Sequence, residues 1–138
     1  MKKEPITKIM TSDLLTVSQG DSISTIRKIF EEHGVHHIPV VSGGDLVGIV
    51  TWNKFMQVTL GDLGDQHISN LDAVLDQTYE LADVMRRTPV SIDINSTIHD
   101  AAEILGAGEF HSLPVTDGNK LVGIVTSSDL IRYLAELV

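Results

Sequence analysis

His36-His37-Ile38-Pro39-Val40-Val41-Ser42-Gly43-Gly44-Asp45-Leu46-Val47-Gly48-Ile49-Val50-Thr51 returns 75 residues later as His111-Ser112-Leu113-Pro114-Val115-Thr116-Asp117-Gly118-Asn119-Lys120-Leu121-Val122-Gly123-Ile124-Val125-Thr126, with ten of the sixteen positions identical and no gap. Chance does not produce such a match, so the chain carries an internal repeat, and the repeat governs the fold. The same offset aligns Met10 with Met85, Ile23 with Ile98 and Ile29 with Ile104.

Each copy reads in one order. A short extended piece, Leu15-Thr16-Val17 or Val90-Ser91-Ile92, precedes a cap, Ser22 or Thr97. Ile23, Ile26, Ile29 and Phe30, or Ile98, Ala101, Ala102 and Leu105, then recur at helical spacing and define a buried face. Gly34 and Gly108 close these helices. The runs Ile38–Val41 and Leu113–Val115 are short strands that turn through Gly43-Gly44 or Asp117-Gly118. The strands Leu46–Val50 and Leu121–Val125 follow; they are apolar without alternation, as in strands covered on both faces. A last helix begins at Thr51 or Thr126 and carries Phe55, Met56 and Val58, or Leu130, Ile131 and Leu134. The β-α-β-β-α unit leaves one sheet face open unless a second copy covers it. Between the copies, Asp62, Asp65, Asp72, Asp76 and Glu80 make an acidic segment in which Gly61 and Gly64 mark a break. Leu71, Val74, Leu75, Tyr79 and Leu81 keep helical spacing there and predict a connecting helix.

Composition narrows the function. Of 138 residues, 42% are apolar and only 4% aromatic, so aliphatic side chains must fill the core. The formal net charge of −9 would repel a phosphate backbone, and nucleic acid is excluded as an expected partner. The absence of cysteine removes disulfides, thiol nucleophiles and thiolate metal sites. Neither a signal segment nor a membrane span is evident, and a cytoplasmic location without a membrane partner is expected.

Four features, Ile9-Met10-Thr11 and Val84-Met85 at the copy starts, the His-x-Ile/Leu-Pro-Val strands and Gly123-Ile124-Val125-Thr126-Ser127-Ser128-Asp129, together resemble the tandem CBS domain pair, or Bateman module, over nearly the whole chain. The resemblance implies an α/β fold of two β-α-β-β-α repeats packed sheet to sheet with pseudo-twofold symmetry. Residues 1–60 would form repeat 1, 61–80 an acidic and partly helical connection, and 81–138 repeat 2. It further implies two clefts between the copies, each able to take AMP, ADP, ATP or S-adenosylmethionine, and a homodimer. The ligand would be regulatory; no cofactor or metal is required and no catalysis is expected. An effector protein outside this chain would read the conformational change.

Where the Gly123–Val125 strand ends and a helix begins, free N–H groups and the positive end of the helix dipole favour an anion. The resemblance has Asp129 accepting hydrogen bonds from both ribose hydroxyls, with Thr126 and Ser128 on ribose or phosphate. A carboxylate has the acceptor oxygens for a cis-diol. Thr126-x-x-Asp129 also satisfies a capping box, a purely structural use of the same residues. His111 matches the basic positions that meet phosphates in the family, or is simply a packing residue at a strand start. The adenine facing Asp129 would be held by Asp21, Ile26, Val35 and His36, of which Ile26 and Val35 are also natural core residues. A possible second cleft would use Thr51, Lys54, His37, Ser96, Ala101 and Phe110. Lys54 departs from the pattern, standing where the ribose acid belongs; it cannot accept a hydroxyl hydrogen bond. That cleft is then empty, or Lys54 reaches a phosphate, or it is a solvated lysine.

Other classes fit less well. His33, His36 and His37 span a helix end and a strand start, where adjacent side chains diverge, so a three-histidine metal site is not expected. No serine elbow or Gly-rich phosphate loop appears in its required context. The rival reading is a ligand-independent dimerisation and protein-interaction module, favoured by the loss of the acid at position 54 and opposed by Thr126, Ser128, Asp129 and His111.

Overall fold

The computed structural model describes residues 3–63 and 70–138. The chain divides into two compact units, Leu15–Pro89, and Met1–Leu14 together with Val90–Val138.

In the first, β1 (Val17–Ser18), α1 (Ile23–His33), β2 (His37–Ser42), β3 (Asp45–Thr51) and α2 (Trp52–Leu63) follow the expected order; α3 (Leu71–Thr78), α4 (Leu81–Val84) and β4 (Arg86–Arg87) come after them. β1 runs parallel to β2, while β3 pairs antiparallel with β2 on one side and β4 on the other. Ser22 caps α1 by accepting the Thr25 N–H, and Gly34 closes it at φ 62°. Gly43 and Gly44 take φ values of 59° and 88°, the pair of positive angles that a tight β-hairpin needs. Ile23, Ile26 and Phe30 are buried on the inner face of α1. Phe30, Trp52 and Phe55 form an aromatic set with ring centroids 5.2, 5.4 and 6.5 Å apart. The three rings concentrate much of the chain's scarce aromatic content in this core.

The connecting helix is present but divided. α3 stops at Thr78, and a capping box of Glu80 with Asp83 starts α4 as a separate turn. α2 continues through Gly61 to Leu63, so no break occurs at Gly61; Gly64 and Asp65 lie outside the described residues. α3 is tied to α1 by polar contacts. Asp76 accepts hydrogen bonds from Ser24 N–H at 2.8 Å and Ser24 Oγ at 2.7 Å. Arg27 donates through Nε to Asp72 Oδ1 at 2.6 Å and pairs with Glu31 at 2.7 Å.

That hydrogen bond from Arg27 holds the Asp72 carboxyl below the usual carboxylate range. A depressed folded-state pKa gives a contribution that is present above the unfolded value and lost as pH falls through the folded one. The Tm difference between wild type and Asp72→Asn is expected to be constant above about pH 5 and to shrink progressively as pH falls below the unfolded carboxylate value of about 3.9. Thermal melts from neutral into acid check it; a difference that does not change with pH would show that it does not come from the ionised Arg27–Asp72 pair.

The second unit repeats the plan with β5 (Ile92–Asp93), α5 (Ile98–Gly106), β6 (Ser112–Asp117), β7 (Lys120–Thr126) and α6 (Ser127–Leu137). β5 is parallel to β6 and β6 antiparallel to β7, and an irregularity between Val115 and Thr116 matches one between Val40 and Val41. The duplication therefore extends to the bulges. Thr97 and Asp100 form a capping box on α5. Ile98, Ala101 and Leu105 are buried, but Ala102 is exposed. The apolar stripe follows the spacing of Ile98, Ala101 and Leu105, and Ala102 falls beside it. On α6, Leu130 packs against the core while Ile131 and Leu134 are exposed.

Each unit borrows the leading segment of the opposite copy. Thr11 exchanges two backbone hydrogen bonds of 2.9 Å with Ile124 on β7, as Arg86–Arg87 pairs with Gly48 and Ile49 on β3. Met10 lies over Gly123 and Met85 over Gly48. A Cβ at Gly48 would stand 2.3 Å from Met85 Sδ, and one at Gly123 would stand 2.7 Å from Met10 Sδ. The two identical strand glycines thus mark where another segment approaches closely. No helix of the described residues is long and apolar enough to cross a membrane.

Candidate functional site

The β7–α6 junction is built by its local sequence. Val125 is fully buried and anchors the strand end. Thr126 stays extended at φ −115° and ψ 164°, then caps α6. Thr126 Oγ1 accepts the Asp129 N–H at 3.2 Å, and Asp129 Oδ2 accepts the Thr126 N–H at 2.8 Å. The capping box anticipated from spacing is therefore formed. Asp129 is also engaged by a neighbour, Arg132, whose Nη2 donates to Oδ1. The carboxylate is 7% exposed, an unusual burial for a charge, and its pairing explains how it is tolerated.

His111 stands at the same place. Its carbonyl accepts the Ser127 N–H at 3.0 Å, which sets the residue before β6 against the first turn of α6. Its side chain is exposed, as is Ser128, so His111 is not a packing residue. Thr126, Ser128, Asp129 and His111 are thus gathered at one helix start. Asp129 further lines a hollow of about 270 Å³ with Lys8, Ile9, Arg132, Tyr133 and Glu136. The Lys8 ammonium is 5.9 Å from the Tyr133 ring centroid, within cation–π range, and hydrogen-bonds Glu4 at 3.2 Å. Sequence reasoning missed Lys8, Arg132 and Tyr133. The spacing of Asp129 and Arg132 on one helix was a usable signal; nothing in the sequence brings Lys8 there, because its unit is assembled from both ends of the chain.

The β3–α2 junction is the counterpart. Thr51 Oγ1 accepts the Lys54 N–H at 3.3 Å, and the His36 carbonyl accepts the Trp52 N–H at 2.9 Å. The capping hydroxyl is kept, but no carboxylate returns the bond, because Lys54 occupies the position of Asp129. Lys54 and His36 are exposed and His37 half-buried.

The remaining predicted residues sit in two settings. Ile26 and Ala101 are fully buried in the cores of their own units, and Val35 and Phe110 pack against those cores. Asp21 and Ser96 occupy equivalent half-buried places before α1 and α5. Asp21 accepts the Ser18 N–H at 2.8 Å and lines a hollow of about 390 Å³ with Ser22, Asp76, Glu80 and Arg87. The carboxylates of that hollow are already used: Asp76 holds Ser24, and Glu80 belongs to the cap of α4. The structure therefore gathers Thr126, Ser128, Asp129 and His111 in one unit and Thr51, Lys54, His36 and His37 in the other.

Known proteins share this architecture. A CBS domain model matches residues 6–61 and again 81–136. CBS domain-containing protein YhcV of Bacillus subtilis is 31% identical over 121 residues, covering 88% of this chain and 79% of that protein. Protein MJ1404 of Methanocaldococcus jannaschii is 28% identical across 99% of this chain, which spans only 33% of that protein's length. Among solved structures, CBSX2 in complex with AMP superposes with a TM-score of 0.79 at 25% identity, covering 97% of this chain and 98% of that one.

Proposed function

This chain belongs to the CBS domain family, and from that premise we propose that it is a regulatory, non-catalytic module that binds an adenosyl ligand, AMP, ADP, ATP or S-adenosylmethionine, at the start of α6. The observation that carries the reading is the buried Asp129 carboxylate, presented by the Thr126 cap toward a hollow that also holds Lys8 and Arg132. Asp129 is the proposed acceptor for the ribose diol. Thr126 and Ser128, at the positive end of α6, and the exposed His111 are proposed to meet ribose and phosphate. At about 270 Å³ the hollow is smaller than the roughly 300–1,000 Å³ of a complete small-molecule site, so it would accept the ribose and phosphate and leave the base to other groups. The AMP bound by the structurally similar CBSX2 supports this ligand class.

Electrostatics set a condition on the reading. The chain's charge of −9 opposes an anionic ligand at long range, so binding must rely on the cations and N–H groups at the junction. Regulation would follow if the ligand binds one arrangement of the protein better than another, with a separate protein reading the shift. Calorimetric titration with AMP, ADP, ATP and S-adenosylmethionine tests it: saturable binding of at least one is expected, and no heat from any of the four sinks the reading.

One observation favours a second reading. Ile131, Leu134 and Leu137 are 66%, 60% and 46% exposed along α6, an apolar stripe suited to a self-associating or partner-binding surface. It supports the homodimer and, should no ligand bind, an interaction module.

A further inference from the structure

Arg132 follows Asp129 by three positions on α6, the spacing that puts two side chains on one helix face. Its guanidinium holds Asp129 Oδ1 while Thr126 N–H holds Oδ2 at 2.8 Å, so each oxygen of the carboxylate already has a donor. The Arg132 side chain is 71% exposed, and both residues line the same hollow with Lys8. A ribose hydroxyl that approaches Oδ1 therefore competes with this guanidinium.

Resting on the adenosyl reading above, we infer that Arg132 is a specificity-determining residue that makes the site select phosphorylated adenosyl ligands. A hydroxyl that takes Oδ1 displaces the guanidinium from its anion. A phosphate on the same ligand offers a replacement of matching fork geometry within reach of a long, solvent-exposed stem. Adenosine has no such group and leaves the displaced cation only Glu136, one helical turn further on and lining the same hollow, a single carboxylate that a phosphate would outmatch as a partner. Lys8 adds a second positive charge to the hollow, although Glu4 partly satisfies it. Asp129 is buried, so its Oδ1 cannot be left bare; the incoming hydroxyl replaces the donor that Arg132 withdraws, and the selectivity comes from what the exposed guanidinium meets afterwards.

The test compares AMP with adenosine on wild type, Arg132→Gln and Arg132→Lys by calorimetry, with circular dichroism confirming that each variant is folded. Wild type is expected to prefer AMP. Arg132→Gln weakens AMP by about tenfold, the loss of one charge-assisted contact, and leaves adenosine unchanged or up to about threefold tighter because a competitor for Oδ1 is gone. Arg132→Lys keeps part of the preference as a point charge without the fork. Equal weakening of both ligands would mean that Arg132 only supports the helix. An unchanged AMP-to-adenosine ratio would likewise overturn the assignment. Wild type binding neither ligand overturns this inference; the adenosyl reading itself falls only if ADP, ATP and S-adenosylmethionine are silent as well.

Discussion

Asp129→Ala is expected to lower affinity for the adenosyl ligand by about 100-fold or more while leaving the protein folded. The reasoning separates two uses of one carboxylate. As a cap, Asp129 accepts the Thr126 N–H, and its loss costs about 1 kcal/mol of stability. Arg132, released at the same time, is largely exposed and remains hydrated, so it adds no burial penalty. As a ligand acceptor, Asp129 would take two hydroxyls, each a hydrogen bond to a charged group contributing about 1.5–3 kcal/mol. Two such bonds exceed the roughly 2.8 kcal/mol that corresponds to 100-fold. Calorimetry and a thermal melt on the same sample check both parts. A variant that melts slightly lower yet binds with wild-type affinity would assign Asp129 to the cap alone.

Gly48→Val is expected to destabilise the fold by about 3 kcal/mol, lowering Tm by on the order of 10 °C. The new Cβ would lie 2.3 Å from Met85 Sδ, 2.4 Å from Met85 Cγ and 3.0 Å from the Arg86 carbonyl. Met85 is itself only 7% exposed within a packed core, so its flexible chain has little space to yield. The carbonyl belongs to the backbone of β4, which would have to leave β3. Gly123→Val meets Met10 Sδ at 2.7 Å and the Thr11 carbonyl at 3.0 Å, and is expected to cost less. Adding Met85→Ala to Gly48→Val should recover part of the loss, a positive coupling in a double-mutant cycle. A Gly48→Val protein as stable as wild type would contradict the close approach of β4 to β3.

The same glycines show how far the sequence could be followed. Strand, turn and cap residues act locally, so Ser22, Thr97, Gly34 and the Pro-Val strands mark their elements in the sequence itself. The repeat announced that there would be two of each. Ile9-Met10 and Val84-Met85 were legible as leading motifs, but which β-hairpin each would join depends on chain path rather than on local preference. Gly48 and Gly123 hinted at a close neighbour without naming it. The division of the connecting helix at Tyr79–Glu80 was hidden because Leu75, Tyr79 and Leu81 sustain an apolar rhythm across the capping residues.

At the candidate site, Thr126 and Asp129 were visible because a cap is a matter of spacing, and His111 because the repeat places it before a strand. The pairing of Asp129 with Arg132 follows the same spacing rule, three residues apart on one helix face, but spacing alone does not distinguish a paired carboxylate from one open to a ligand. Lys8 was beyond it. Its position beside Tyr133 and Glu136 joins the two ends of the sequence through the packing of Ile6 in the second core. Ile26 and Val35 illustrate the reverse limit. An apolar residue that is buried in a core and one that touches a base look alike in sequence; in the structure Ile26 has no exposed surface while Val35 keeps some.

The most direct test is a backbone amide NMR titration of the labelled chain with AMP. Placement of the ligand at the start of α6 predicts saturable shifts in the amides of Thr126, Ser127, Ser128 and Asp129, together with His111, and their disappearance in Asp129→Ala. Saturable shifts confined to other parts of the chain, or no shifts with AMP and then with ADP, ATP and S-adenosylmethionine, would contradict it.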